Sequence, residues 1–175
     1  MYKNIFYLLL ILALPLSAKI LISPIDAMKQ SYGIDANVVK KNILLNKRQA
    51  TIIQKNAKTK LSSKIFRIFK ATKNDKILGY GILINKKIRS KNAVALYLIS
   101  KDSTLLGIEI IAFNEPMEYI PSKKWMSQFE NVSTDKHFRV GRNIPTITGA
   151  TLSARSLTDS SRIAFAFYNE MLKDK

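Results

Sequence analysis

In the run TITGATLSARSLTDSSR, residues 146–162, eight of seventeen residues are Ser or Thr. One capping hydroxyl suffices to start a helix, so the surplus needs a reason. Thr148, Gly149, Ala150, Thr151, Leu152 and Ser153 stand where a turn passes into a helical pattern. A helix entrance presents unpaired N–H groups and the positive end of the helix dipole, a combination that suits a phosphate. Thr148 and Ser153 can donate to phosphate oxygens, and Arg142 or Arg155 can add charge. A Thr hydroxyl such as that of Thr151 is a poor nucleophile unless it is positioned and exposed, and the Gly149–Ala150 pair leaves room for a bulky group to approach the backbone. The plain alternative is a hydroxyl-rich cap, and the six residues alone do not decide between the two.

The rest of the chemical inventory is thin. The chain has no cysteine, which excludes disulfides, thiolate metal sites, iron–sulfur clusters and c-type haem attachment. His137 is the single histidine, so no site can be built from several. Glu115, in NEP, is either a strand-end acid or part of a site. Tyr80 lies between Gly79 and Gly81 inside a strand pattern, where glycine marks a bulge or a close approach by backbone or ligand. Tyr119 and the only tryptophan, Trp125, are residue types that belong to cores more often than to ligands.

The elements that must position these groups follow from hydropathy patterning. At 175 residues the chain suits one domain with a real core. DANVVKKNILLN places Val38, Val39, Ile43 and Leu44 on a rough helical stripe with Asp35 as its cap. KRQATIIQKNAK gives a second short helix, making a helix pair over about 35–58. From 63 the pattern turns to strands: KIFRIFKAT, then NDK as a turn into ILGYGILINKK, then AVALYLIS as a strand buried on both faces, then KDST into LLGIEIIAFNE. An antiparallel meander of at least four strands results. A short helix follows in which Trp125, Met126 and Phe129 share a face, then the basic loop TDKHFRVGRNIP, then a final helix to about Leu172 that opens either at an S-x-x-D capping arrangement of Ser156 and Asp159 or as early as Ser153. The expected class is α+β, an antiparallel β-sheet with flanking helices.

The first eighteen residues, MYKNIFYLLLILALPLSA, have the layout of a secretory signal peptide, with an apolar run from Ile5 to Leu16 too short to span a bilayer alone. Residues 1–18 are therefore expected to be a leader and 19–175 a single extracytoplasmic domain, membrane-associated if the leader is uncleaved. The net charge is +17. Sixteen Lys/Arg face two Asp between Gln30 and Lys91, whereas nine of each sign follow from Asp102 onward. The excess is scattered and lacks any nucleic-acid-binding signature. No nucleic acid partner is expected; a solvated lysine face, or a surface for anionic lipid or an acidic partner, fits better.

TGATLS resembles the [S/T]-G-A-T-x-[S/T] motif of the FMN-binding domain family. That family includes flavoprotein subunits of the sodium-translocating quinone reductase and the ferredoxin:NAD complex, and the flavin domain of the nitrous-oxide respiration regulator. GYGILI, the block IRSKNAVALYLISKDSTLLGIEIIAFNEP and WMSQF resemble the family's order of strands, acidic residue and Trp–Phe helix, so the likeness covers about 35–172. It implies FMN as cofactor, held by a phosphoester on Thr151 that a flavin transferase installs from FAD outside the cytoplasm. Thr148, Gly149, Ala150, Leu152 and Ser153 form the surrounding turn. It further implies a role for Glu115 in the flavin site, a loop at Arg89, Ser90 and Lys91 beside the flavin, and Tyr80, Tyr119 and Trp125 as candidates to lie against the isoalloxazine ring. One departure stands out: Pro145 occupies the place of the family's usual aspartate, with Asn143 nearby but out of register.

The resemblance implies an exported electron-transfer flavoprotein of a respiratory or extracytoplasmic redox chain, with a membrane electron donor and a periplasmic acceptor as partners. The main alternative is a flavin-free docking or assembly protein of the same fold that serves a membrane respiratory complex. A reductase with its own small-molecule substrate would need a proton donor beside the ring, for which only Tyr119 or His137 offer themselves.

Overall fold

Asn74 and Asp75 both adopt left-handed backbone angles, φ 49° and 59°, the geometry a two-residue hairpin turn demands and that Asn and Asp tolerate. This turn joins two strands of a six-stranded sheet in the computed structural model, which describes residues 20–174. The elements in chain order are α1 (Pro24–Tyr32), β1 (Asn37–Leu44), α2 (Lys47–Ala57), β2 (Ile65–Lys73), β3 (Lys76–Lys87), β4 (Asn92–Ser100), β5 (Thr104–Phe113), α3 (Lys123–Met126), β6 (Val132–Ser133) and α4 (Thr151–Met171). The strands pair in sequence order, each antiparallel to the next. The expected α+β architecture and the meander are present. The leader expected over 1–18 lies outside the described residues, among which no helix is long and apolar enough to cross a membrane.

The first member of the expected helix pair is instead a strand. β1 pairs with β2 from Asn37↔Thr72 to Leu44↔Ile65. Val38, Val39 and Ile43 are β-branched and stiff at χ1, which suits a pleated edge better than a helix. Val38 and Ile43 pack into clusters on opposite faces of the sheet, as strand alternation requires. Asp35 caps no helix but reaches Lys73 of β2 at 3.7 Å. The second member forms as expected: Asn46 and Gln49 make a reciprocal capping box at the start of α2, with bonds of 2.9 and 3.0 Å.

Two cores sandwich the sheet. On one face α2 and α4 cover Phe66, Ile68, Tyr80, Ile82, Tyr97 and Ile99; on the other α1 covers Phe69, Leu96, Leu98 and Ile111. β4 is buried on both faces, which its continuous apolar run foretold. Helix α1 went unforeseen; Ser23 caps it and Pro24 opens it. It explains Gly79 and Gly81. A Cβ on Gly79 would lie 2.6 Å from the Tyr32 ring, and one on Gly81 would lie 2.5 Å from Met28 Sδ. The Tyr32 hydroxyl passes over the sheet to sit 2.8 Å from the Ile99 carbonyl and 3.1 Å from that of Tyr80. The glycines admit a helix, not a ligand.

α4 is the long element of the other layer, with Ala154, Leu157, Ala164 and Phe167 turned inward. Phe167 stacks on Phe66 with ring centroids 4.3 Å apart. The Tyr97 hydroxyl donates to the Leu157 carbonyl at 3.0 Å. These contacts fix where the N-terminus of α4 emerges, and with it the TGATLS turn.

Candidate functional site

α4 begins at Thr151, with Ala150 in the capping position and no side chain bonding to its first N–H groups. The early N–H groups of a helix have no partner within it, so this end is open to an acceptor from outside. The expected capping arrangement of Ser156 and Asp159 does not exist. Ser156 is buried inside the helix, and Asp159 binds Arg162 at 2.8 Å and Lys86 at 3.3 Å. The hydroxyls of the motif are therefore not explained by capping.

Where those hydroxyls go is instructive. Thr158 Oγ1 donates to Ala154 O at 2.8 Å and Ser161 Oγ to Thr158 O at 2.8 Å, each satisfied on the preceding turn. Thr151 Oγ1 donates to the Ile147 carbonyl at 3.0 Å, which fixes its rotamer. Ser153 is 1 % exposed and its Oγ has no partner. Among the described residues only Ser153 Oγ and Asn114 Oδ1 are buried side-chain polar atoms in that condition. Leaving a buried hydroxyl unpaired costs on the order of 1–3 kcal/mol, so a polar ligand has something to supply here.

Ser153 borders a cleft of about 180 Å³ whose floor is Gly149, Ala150, Thr151 and Leu152 and whose wall is Ile88, Arg89, Glu115 and Tyr119. Gly149 has φ 80°, a left-handed angle that glycine adopts without strain; it turns the chain into the helix. Leu152 is 45 % exposed and Thr151 half-buried, so the cleft is reachable from solvent. Thr148 is exposed but does not line it.

Glu115 builds the wall. Its Oε1 accepts N–H bonds from Arg89 at 3.1 Å, Ser90 at 2.6 Å and Lys91 at 2.7 Å, and the Ser90 hydroxyl lies 3.3 Å from both oxygens. The Lys91 amide above all, with those of Ser90 and Arg89, holds the carboxyl below the ordinary carboxylate value, against the opposing effect of desolvation. Glu115 thus touches the site as the clamp of the β3–β4 loop, which brings Ile88 and Arg89 to the cleft. Its negative charge is shared among three amides, so it opposes an anion less than a free carboxylate would.

The aromatic candidates separate. Tyr119 lines the cleft. Trp125 does not; it packs on Phe129, centroids 5.2 Å apart, and its Nε1 donates to the Pro145 carbonyl at 3.0 Å, tying down the loop that leads to the motif. Tyr80 is remote. Its ring meets Tyr168 edge-on at 6.1 Å, and Tyr168 lies seventeen residues along α4 from Thr151, about 25 Å at 1.5 Å per residue. Neither Trp125 nor Tyr80 is among the residues that line this cleft. Of the cations, Arg89 lines the cleft and Arg142 and Arg155 do not. Ile88 carried no signal in the sequence, being one apolar residue in a basic loop.

No protein-family model matches the chain, and no curated protein matches it either.

Proposed function

We propose that the chain is an exported flavoprotein domain that holds FMN at the TGATLS turn, by a phosphoester on Thr151, and passes electrons between a membrane donor and a periplasmic acceptor. The observation that carries the reading is the uncapped N-terminus of α4 with the unpaired, buried Ser153 hydroxyl beside it. A phosphate there would receive helix N–H groups, the Ser153 hydroxyl and the Arg89 guanidinium. The resemblance of TGATLS and its upstream strands to the FMN-binding domain family supplies the identity of the nucleotide.

The residues suit the phosphate end of such a group. A volume of about 180 Å³ is below the roughly 300–1,000 Å³ of sites that enclose a drug-sized ligand. The cleft would take the phosphate end of a flavin nucleotide, and Tyr119 and the exposed Leu152 are the side chains that would be available to its ring. An exposed ring is what exchange of electrons with protein partners needs. When bound, FMN supplies the redox chemistry; the protein sets its orientation and exposure. In forming the link, Thr151 Oγ1 bonds to the flavin-side phosphorus of FAD, the pyrophosphate bond breaks, AMP leaves and the hydroxyl proton is lost. The Ile147 carbonyl aims that hydroxyl but cannot take its proton, so the base comes from the transferase. A tether is useful outside the cytoplasm, where dissociated FMN is lost to dilution.

Co-expression of the exported protein with a flavin transferase, followed by denaturation and intact-mass measurement, tests the reading. A gain of one FMN less a water, absent in Thr151→Ala, is expected. No gain in the parent chain, with Pro145→Asp equally unmodified, would leave a flavin-free docking or assembly protein of the same fold.

A further inference from the structure

A second cavity, of about 500 Å³, lies between the end of α2, the 137–143 loop and the middle of α4. It shares no residue with the cleft at the N-terminus of α4. Lys58, His137, Arg139, Arg142 and Arg162 line it together with Asn143. Residues far apart in the chain thus bring four permanent cations and an imidazole to one concavity, and no acidic side chain is among the lining groups.

The cavity has a rigid back. Arg162 donates from Nε to Ala57 O, from Nη1 to Phe138 O and from Nη2 to Asp159 Oδ1, each at 2.8 Å. Those bonds lock the residues that precede Lys58 and follow His137. Asn143 staples the loop through Oδ1, which accepts from the Arg139 N–H at 2.6 Å, and Nδ2, which donates to His137 O at 3.0 Å. The side chains of Arg139, Arg142 and Lys58 are held exposed at the mouth. Of the ion pairs formed among the described residues, none involves these three; Asp159, which pairs with Arg162, is shared with Lys86.

We infer that this cavity is a binding site for a multiply charged phosphate group, a diphosphate or a phosphomonoester rather than a singly charged anion. Several cations facing one concavity repel one another, and an oxyanion with two or more charges relieves that repulsion while engaging the guanidinium forks of Arg139 and Arg142. The volume lies within the range of small-molecule sites. His137 senses occupancy. Desolvation first, and then Arg162, Lys58 and Arg139, keep its imidazole below the ordinary value of 6.5. Asp135 and Lys136 line a neighbouring cavity together with His137, and Arg142 lines this one. An anion among these cations makes the protonated imidazole easier to form.

The test is calorimetric titration of the protein with inorganic pyrophosphate at low salt, beside an NMR titration of the single histidine. Arg139→Gln/Arg142→Gln removes two exposed charges from the cavity lining, and Lys40→Gln/Lys41→Gln removes two exposed charges from the edge strand β1, which lines no part of the cavity. Saturable binding to one site is expected, weakened about tenfold or more by the first pair and little changed by the second. The His137 titration should move upward toward 6.5 when pyrophosphate saturates. Absence of saturable binding, equal weakening by both pairs, or a His137 titration unmoved by saturation would each overturn the site. A vesicle arm identifies the source of the phosphate. Binding to phosphatidylcholine vesicles only when they carry phosphatidic acid, lost in Arg139→Gln/Arg142→Gln and competed by pyrophosphate, marks a lipid headgroup. Pyrophosphate binding without vesicle binding marks a soluble ligand.

Discussion

The two ends of α4 are built on opposite plans. At the C-terminal end Tyr168 is buried to 1 % exposure and its hydroxyl donates toward the Ser100 and Lys101 carbonyls, 3.2 and 3.0 Å away. Beside it the Thr134 hydroxyl meets Asn169 Oδ1 at 2.9 Å. The polar atoms there find partners within the protein. At the N-terminal end the helix has no side-chain cap, a buried hydroxyl lacks a partner, and a cleft opens to solvent. One end anchors the helix to the sheet. The other is left unsatisfied, and an unpaired buried hydroxyl calls for an explanation that the proposed ligand would supply.

Substitutions at the two ends should therefore differ in size and in sign. The largest effect on stability belongs to Tyr168→Ala, which removes a fully buried ring and should cost about 3–5 kcal/mol in a denaturant titration. Tyr168→Phe, which loses only the hydroxyl bond, should cost about 1 kcal/mol. Ser153→Ala should act in the opposite direction: with no bond to lose, the unliganded protein should gain up to about 1 kcal/mol, while the fraction of chains carrying FMN after co-expression with the transferase falls. If Ser153→Ala destabilises the unliganded protein as much as Tyr168→Phe does, the contrast between the ends is broken.

The smallest effect is local. Glu115→Gln keeps the shape of the clamp and removes its charge, so amide exchange at Arg89, Ser90 and Lys91 should quicken while global stability changes little. The same loosening should appear in the parent chain at low pH. Because the folded carboxyl titrates below its ordinary value of 4.5, its contribution is complete above that value and is lost as pH falls through the lowered one. Exchange rates in this loop that stay flat through that window would remove Glu115 as the clamp.

Much of this could be read before any coordinates. The strands β2 to β5 were legible because apolar runs of strand length are separated by Asn, Asp and Ser turns. β1 was not. Apolar residues at 38, 39, 43 and 44 satisfy a loose helical stripe and a strand alike, and pairing with β2 decides between them. The glycines that flank Tyr80 signal a close approach without saying by what; the structure brings Tyr32 and Met28 there. α1 escaped notice because it follows directly on an apolar run that reads as a leader.

The hydroxyl-rich turn shows where the boundary falls. The position of TGATLS at a helix entrance, the absence of thiol chemistry and the alternation of most strands are properties of neighbours in the chain, so residue order determined them. Which hydroxyl goes unpaired, which acid clamps which loop, and which five basic residues share one cavity are properties of distance in space. Ser153 and Ser161 are the same residue type in the same helix, yet one finds a carbonyl and the other finds a cleft. Hydrogen bonds and electric fields act over a few ångströms of space whatever the separation in sequence, so only the tertiary structure could assign those roles.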